Sequence, residues 1–373
     1  MINFLLLLLP VAAVFGWYAG YKYKSSFVKG VNLFSRNYFV GLKYLIEEQP
    51  DKAIDIFIKM LEVNSDTVET HLALGGLFRR RGEVDRAIRV HQNLIARPQL
   101  AKHQRIRALS ELAQDYMRAG VLDRAENIFL ELANLDKKDE TNFKYLLNIY
   151  EQQKDWPKAI AIAEKLTAEY GVETMSTVAH YYCELGNPKK ALAVDKNCVR
   201  GRLLQGSLSM NDGDFKNAIR TYKMVTEQNP DFITEIINPL IQCYEKLNNE
   251  QELVNYLQNC LIKYPRASII LALAGFLKKY RGDIIAIEFI TRQMSRYPSL
   301  RGLSYLTDVY VDNSEGDIKK KFLFLQELIK KFLLDKPVYR CVHCGFSSKN
   351  LYWHCPSCKR WSSVKPILGL EGD

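Results

Sequence analysis

Short turns followed by an alanine recur along this chain, and their spacing leaves few folds open. They read Gln49-Pro-Asp-Lys-Ala53, Gly82-Glu-Val-Asp-Arg-Ala87, Gly120-Val-Leu-Asp-Arg-Ala125, Lys154-Asp-Trp-Pro-Lys-Ala159, Gly186-Asn-Pro-Lys-Lys-Ala191 and Gly213-Asp-Phe-Lys-Asn-Ala218. Ala53 to Ala87 is 34 residues, and Ala125 to Ala159 is 34 again. Twelve positions before five of these six alanines stand Gly41, Gly75, Ala113, Ala179 and Gly206, small residues suited to close helix approach. Nine positions before the first five alanines stand Tyr44, Phe78, Tyr116, Tyr150 and Tyr182, large residues that fill the space between paired helices. Such phasing predicts a stack of helical hairpins, each too small to bury its apolar face alone.

The period is that of the tetratricopeptide repeat, so the expected fold is an all-α tetratricopeptide-repeat solenoid of about eight or nine units over residues 37–335. Tyr244 with Pro265, and Gly275 with Gly282-Asp283, extend the phase, and Leu303 to Leu334 reads as a final helical pair with a capping role. Two intervals depart from the period. Ala87 to Ala125 is 38 residues, which predicts a longer loop around Arg97 to His103. Ala191 to Ala218 is 27, so one second helix is cut short by nearly two turns, and Asp195 falls where an apolar residue belongs. This predicts a bent or loosened solenoid near 191–202, or a defective repeat copy.

The last forty residues carry a different signal. Cys341-Val-His-Cys344 and Cys355-Pro-Ser-Cys358 are two C-x-x-C pairs separated by ten residues. Each pair makes a tight turn that aims two sulfurs and several backbone N–H groups at one ion, so Cys341, Cys344, Cys355 and Cys358 are the candidate ligands of a tetrahedral thiolate site. Gly345 and Pro356 suit such knuckles. His343 and His354 stand close enough to substitute, though four cysteines make that unnecessary. A closed thiolate set points to one structural zinc; iron, as in an electron-transfer site, has the same S₄ preference. Tyr352, Trp353 and Trp361 are expected to pack around the knuckles or dock them on the solenoid. Cys183, Cys198, Cys243 and Cys260 are scattered through helical sequence and read as core or neutral thiols.

At the other end, Ile2 to Tyr21 contains no charged side chain and is long enough to cross a bilayer as a helix. Trp17, Tyr18, Tyr21 and Tyr23 fall where an interfacial aromatic belt would lie, and Gly16 with Gly20 forms a small-x-x-x-small pair. The basic leader of a cleaved signal peptide is missing. Lys22, Lys24, Lys29, Arg36 and Lys43 follow, with no acidic residue before Glu47, which places the bulk of the chain in the cytoplasm and the N-terminus outside it.

The net charge of +10 invites a nucleic-acid reading. Much of the excess is local, however, in Lys22 to Lys43 and between Lys319 and Lys365, and basic charge beside an apolar span reads more economically as contact with anionic lipid headgroups. Arg79-Arg80-Arg81 reads as a solvated helix face, or as a contact for an acidic partner. Catalysis is disfavoured by inventory. Neither a phosphate-binding glycine loop nor an H-E-x-x-H run is present, and His71, His91 and His180 lie on repeat helices without a nearby nucleophile.

An apolar N-terminal run, a repeat array and a terminal knuckle pair together resemble the lipopolysaccharide assembly protein B (LapB) family. The local resemblance lies in Tyr339-Arg340-Cys341-x-x-Cys344-Gly345-Phe346, in Leu351-Tyr-Trp-His-Cys355-Pro-Ser-Cys358, in Trp361 and in Lys365-Pro366-Ile367, with further matches at Gly82 to Ile88 and His180 to Leu185. The resemblance implies a bacterial inner-membrane adaptor that regulates lipopolysaccharide biosynthesis. Its implied partners are the membrane protease FtsH, the deacetylase LpxC as its client, lipopolysaccharide assembly enzymes, and a restraining membrane regulator of the PbgA/YejM type. The expected layout is an anchor over 1–21, a basic linker over 22–36, the solenoid over 37–335 and a rubredoxin-like metal-binding domain over 336–373. A zinc-ribbon nucleic-acid binder and a rubredoxin-like electron carrier are the competing classes.

Overall fold

The computed structural model describes residues 68–372 apart from 99 and 137–138, together with residues 17, 39–41, 43, 44, 52 and 56. The apolar run Ile2 to Tyr21 and the basic linker lie outside the described residues save for Trp17. Among the described residues no helix is long and apolar enough to cross a membrane.

Sixteen α-helices are described, and they fall into eight hairpins. They are α1 (Val68–Arg80), α2 (Val84–Ile95), α3 (Lys102–Ala119), α4 (Leu122–Leu135), α5 (Glu140–Gln153), α6 (Trp156–Tyr170), α7 (Met175–Glu184) and α8 (Pro188–Val194). The series continues with α9 (Val199–Asn211), α10 (Phe215–Gln228), α11 (Ile233–Lys246), α12 (Glu250–Lys263), α13 (Ala267–Arg281), α14 (Asp283–Arg296), α15 (Leu300–Asp312) and α16 (Gly316–Leu334). The chain divides into two compact units at Ile149/Tyr150. The fold is an all-α tetratricopeptide-repeat solenoid followed by a zinc-ribbon knuckle.

The repeat phase has a direct structural meaning. Ala87, Ala125, Ala159, Ala191 and Ala218 are all fully buried near the start of the second helix of their hairpins. Five positions earlier the backbone is left-handed every time: Gly82, Gly120, Gly186 and Gly213, but also Lys154 at φ 58°. Asn248 repeats this at φ 51°, five positions before the fully buried Leu253, which takes the alanine's place in that hairpin. A non-glycine residue in this region costs of order 1 kcal/mol, so the hairpin turn is imposed by the packing on either side of it.

Close approach explains the small residues twelve positions back. A Cβ at Gly75 would lie 2.3 Å from the His91 ring, and one at Gly206 would lie 2.6 Å from the Tyr222 ring. The large residues nine back carry a further regularity. A basic side chain directly before the alanine sits over each ring: Lys52 on Tyr44 at 5.7 Å, Arg86 on Phe78 at 5.8 Å, Arg124 on Tyr116 at 5.6 Å, Lys158 on Tyr150 at 5.1 Å and Lys190 on Tyr182 at 5.7 Å. Each such cation–π pair contributes about 0.5–1 kcal/mol at an exposed site. In the next hairpin both members change together, and Asn217 Nδ2 donates to Ser209 Oγ at 2.9 Å.

The first unit contains a buried polar network that the sequence reading missed. Arg79, expected on a solvated face, donates to Asp115 Oδ1 at 2.8 Å and to Glu111 Oε2 at 2.6 Å. Asp115 Oδ2 lies 2.5 Å from His91 Nδ1, with both side chains fully buried. Asp115 is fully buried, and leaving it without its partners would cost several kcal/mol, so the network acts as a unit. His71 and His91 are both buried.

The shortened repeat is real, but its consequence differs from the expectation of a loosened array. Helix α8 has only seven residues and ends at Val194. Asp195 leaves the helix and accepts from the Asn197 N–H at 2.8 Å, while the Cys198 sulfur caps α9 by accepting from the Gly201 N–H. Ala179, Cys183, Ala191 and Cys198 close into a small buried core, so the hairpin is compact rather than frayed. The predicted long loop is found at residues 96–101, between α2 and α3. The final pair, α15 and α16, does not end in a polar cap, because α16 leaves several large apolar side chains exposed.

Candidate metal centre

After α16 the chain forms three short strands, β1 (Tyr339–Cys341), β2 (Ser347–Ser348) and β3 (Val364–Pro366), in the antiparallel order β2-β1-β3. The register pairs Tyr339 with Ser348 and with Pro366, and Cys341 with Val364. The first cysteine therefore sits at the end of the central strand.

The two knuckles are built alike. In the first, the Gly345 N–H donates to Cys341 O at 3.0 Å and the Cys341 N–H to Phe346 O at 2.7 Å. In the second, the Lys359 N–H donates to Cys355 O at 2.9 Å and the Cys355 N–H to Arg360 O at 3.0 Å. The residue after each second cysteine is left-handed, Gly345 at φ 76° and Lys359 at φ 57°. The sequence signalled the first through its glycine and gave no sign of the second.

These turns bring all four sulfurs within 4.8 Å of one another. Cys341 Sγ to Cys358 Sγ and Cys344 Sγ to Cys355 Sγ are each 3.7 Å. A tetrahedron with metal–sulfur bonds of about 2.3 Å has edges of about 3.8 Å, so the spacing fits a single ion at the centre. Neither His343 nor His354 belongs to the cluster; the His354 Nε2 lies 2.8 Å from Lys359 O and its ring stacks on Trp361. Cys341 and Cys355 are buried, Cys358 is half-buried and Cys344 is exposed. Burial raises the Cys341 thiol, but the Ser363 hydroxyl and the N–H groups of Cys344 and His343 outweigh it and bring it down to about 5. Cys355 is pushed up to about 11, by burial first and then by the neighbouring sulfurs. The four cysteines form a metal-binding knuckle, and a bound cation would offset the repulsion among its sulfurs.

The centre is pressed against the solenoid by its aromatic residues. Trp361 Nε1 donates to Glu151 Oε1 at 2.8 Å, and the Tyr181 hydroxyl donates to the same oxygen at 2.7 Å. The Trp361 ring stacks on His180 with centroids 5.1 Å apart, and meets Trp156 and Tyr181 edge-on. Trp353 stacks on Phe232 at 5.4 Å, the Tyr339 hydroxyl donates to Glu235 at 2.6 Å, and His180 Nε2 lies 2.5 Å from Ser362 Oγ. His180 is held neutral, its pKa lowered to about 3 by burial, then by Arg200 and His354. Of the three aromatic residues expected at the knuckles, Trp353 and Trp361 dock the module, while the exposed Tyr352 packs edge-on against Phe346. No sequence pattern marked Glu151, His180 or Phe232 as docking partners.

Residues 339–366 match the rubredoxin metal binding domain family of the LapB zinc ribbon, and residues 70–102 match a tetratricopeptide repeat family. The lipopolysaccharide assembly protein B of Escherichia coli (strain K12) is 38% identical over 393 aligned residues, covering 100% of both chains. This chain belongs to the lipopolysaccharide assembly protein B family. The member from Haemophilus influenzae is 35% identical over 394 aligned residues, again with 100% of both chains covered. Family membership thus spans the repeat array and the knuckle together.

Proposed function

We propose that this chain is a non-catalytic, membrane-anchored adaptor of lipopolysaccharide assembly. The observation that carries the reading is the full-length kinship with proteins named for that process. Repeat helices support the adaptor role, since stacked hairpins expose extended surfaces that bind peptide or protein segments. Residues 1–21 would hold the chain in the bacterial inner membrane, with the N-terminus periplasmic, the body in the cytoplasm and Lys22 to Lys43 against anionic headgroups. Anchoring confines the adaptor to the plane of its partners and raises effective concentration without any new contact.

Within that role, the specific activity proposed is presentation of the deacetylase LpxC to the membrane protease FtsH, under restraint by a PbgA/YejM-type regulator. Cys341, Cys344, Cys355 and Cys358 would hold one zinc ion. The ion would supply a structural cross-link, because four thiolates leave no coordination position for a substrate.

The test is an affinity pull-down of the full-length chain from membranes beside a form lacking residues 1–21, with metal analysis of the purified protein. Co-purification of FtsH and LpxC, loss of FtsH without the anchor, and one zinc per chain are expected. Recovery of RNA or a redox partner in place of both proteins would overturn the adaptor reading.

A further inference from the structure

Helix α16 (Gly316–Leu334) closes the repeat array with two apolar faces. One face is used: Phe322 stacks on Tyr310 at 5.0 Å, Gln326 donates to Asp308 at 2.6 Å, and Ile329 is buried. Among the described residues nothing covers the other face. Phe324 and Phe332 are each 65% exposed, and Leu325 and Leu328 lie beside them at 39% and 37%. Phe324, Leu328 and Phe332 follow at i, i+4 and i+8, the ridge by which one helix packs into the groove of another. A terminal repeat ordinarily turns a polar face outward, so this face is built to be covered.

The charges along the same face say by what. Lys321 stands seven residues before Leu328, and Asp335 stands seven residues after it. Seven residues are close to two turns, so Lys321, Leu328 and Asp335 share one line on the helix surface. A two-fold axis through Leu328 that brings two antiparallel copies together sets Phe324 of one copy against Phe332 of the other. The same operation sets Lys321 against Asp335 at both ends of the contact. Among the described residues Lys321 pairs with Asp317 on its own helix, with both side chains exposed at 77% and 76%. A parallel pairing would place Lys321 against Lys321 and Asp335 against Asp335.

We infer that the outer face of α16 is a self-association surface that pairs two copies of this chain antiparallel about Leu328. An isologous contact of this kind is the commonest route to a symmetric dimer. Four side chains per copy fall well short of the area of a standard stable interface, so the association is weak in free solution and is favoured by confinement. The inference stands on the face of α16 alone and does not depend on the role in lipopolysaccharide assembly.

Cysteine crosslinking of the full-length chain in bacterial membranes tests it, with diamide accepting the two electrons and two protons that a pair of thiols releases. Leu328→Cys should give a species of twice the mass. Phe324→Cys alone should give severalfold less, whereas Phe324→Cys and Phe332→Cys chains expressed together should crosslink to each other. On the Leu328→Cys background, Lys321→Asp should cut the crosslinked fraction severalfold, and adding Asp335→Lys should restore it. No crosslink above the wild-type chain overturns the inference. So does equal crosslinking of Phe324→Cys and Leu328→Cys, which marks a parallel pair. Protection of the Leu328→Cys thiol from a water-soluble maleimide without any crosslink also overturns it, by showing that lipid or another protein covers the face.

Discussion

Replacing Trp361 should separate the knuckle from the solenoid while leaving the metal in place. Its indole makes one hydrogen bond to the Glu151 carboxylate and ring contacts with His180, His354, Trp156 and Tyr181. Truncation of a large aromatic residue costs about 3–5 kcal/mol when it is fully buried. Trp361 is half-buried, so Trp361→Ala should weaken docking by about 3 kcal/mol. Trp361→Phe keeps a ring and loses only the N–H donor. Glu151 then still accepts from Tyr181, so about 1 kcal/mol should be lost, below the usual figure for a charged acceptor. The readout is amide exchange in α7, a helix of ten residues that is too short to be stable without its packing. A loss of 3 kcal/mol lowers protection by about 100-fold, and 1 kcal/mol by about 5-fold. Metal content should be unchanged in both variants. Equal exchange in the wild type and Trp361→Ala, with the metal retained, would refute the assignment of docking to this residue.

Docking should also respond to acid. His180 is neutral in the docked state with a pKa near 3, against about 6.5 when free, so the undocked state binds more protons between those values. Stability is therefore complete above pH 6.5 and declines as the pH falls toward 3, by about 2 kcal/mol at pH 5; the pH dependence of exchange in α7 reads it, and His180→Gln should flatten the curve. Cys355→Ser should abolish metal binding and unfold the knuckle, since so small a module cannot fold on its own burial; metal analysis and exchange across β1 and β3 would check both. Gly75→Ala places a methyl group 2.3 Å from the His91 ring and should destabilise the first unit by about 1–3 kcal/mol, measured by urea unfolding.

Local spacing was legible wherever one residue type answers one steric demand. The alanines and the small residues twelve back announce where helices nearly touch, and Gly75 and Gly206 meet rings that leave no room for a Cβ. The C-x-x-C pairs announce the sulfur cluster because the turn itself fixes the geometry. What the sequence hid were contacts between distant residues. Glu151 and Trp361 are 210 positions apart, and nothing around either names the other. Arg79 was hidden by its neighbours: a run of three arginines looks solvated, yet the first turns toward Asp115 and Glu111. The short α8 was counted correctly, but the turn that rescues it depends on Asp195 and Cys198 acting as caps, a choice that spacing does not reveal.

The 210 residues between Glu151 and Trp361 also set an order of events during synthesis. A ribosome adding about 5–20 residues per second needs some 10–40 s to travel from one to the other. From the moment each is made until Trp353 and Trp361 follow, the faces of Phe232, His180 and Tyr181 lack these ring partners. Only a chain translated through its last knuckle can supply them. A chain cut short before Trp353 would leave this aromatic seat uncovered, whereas the finished chain covers it.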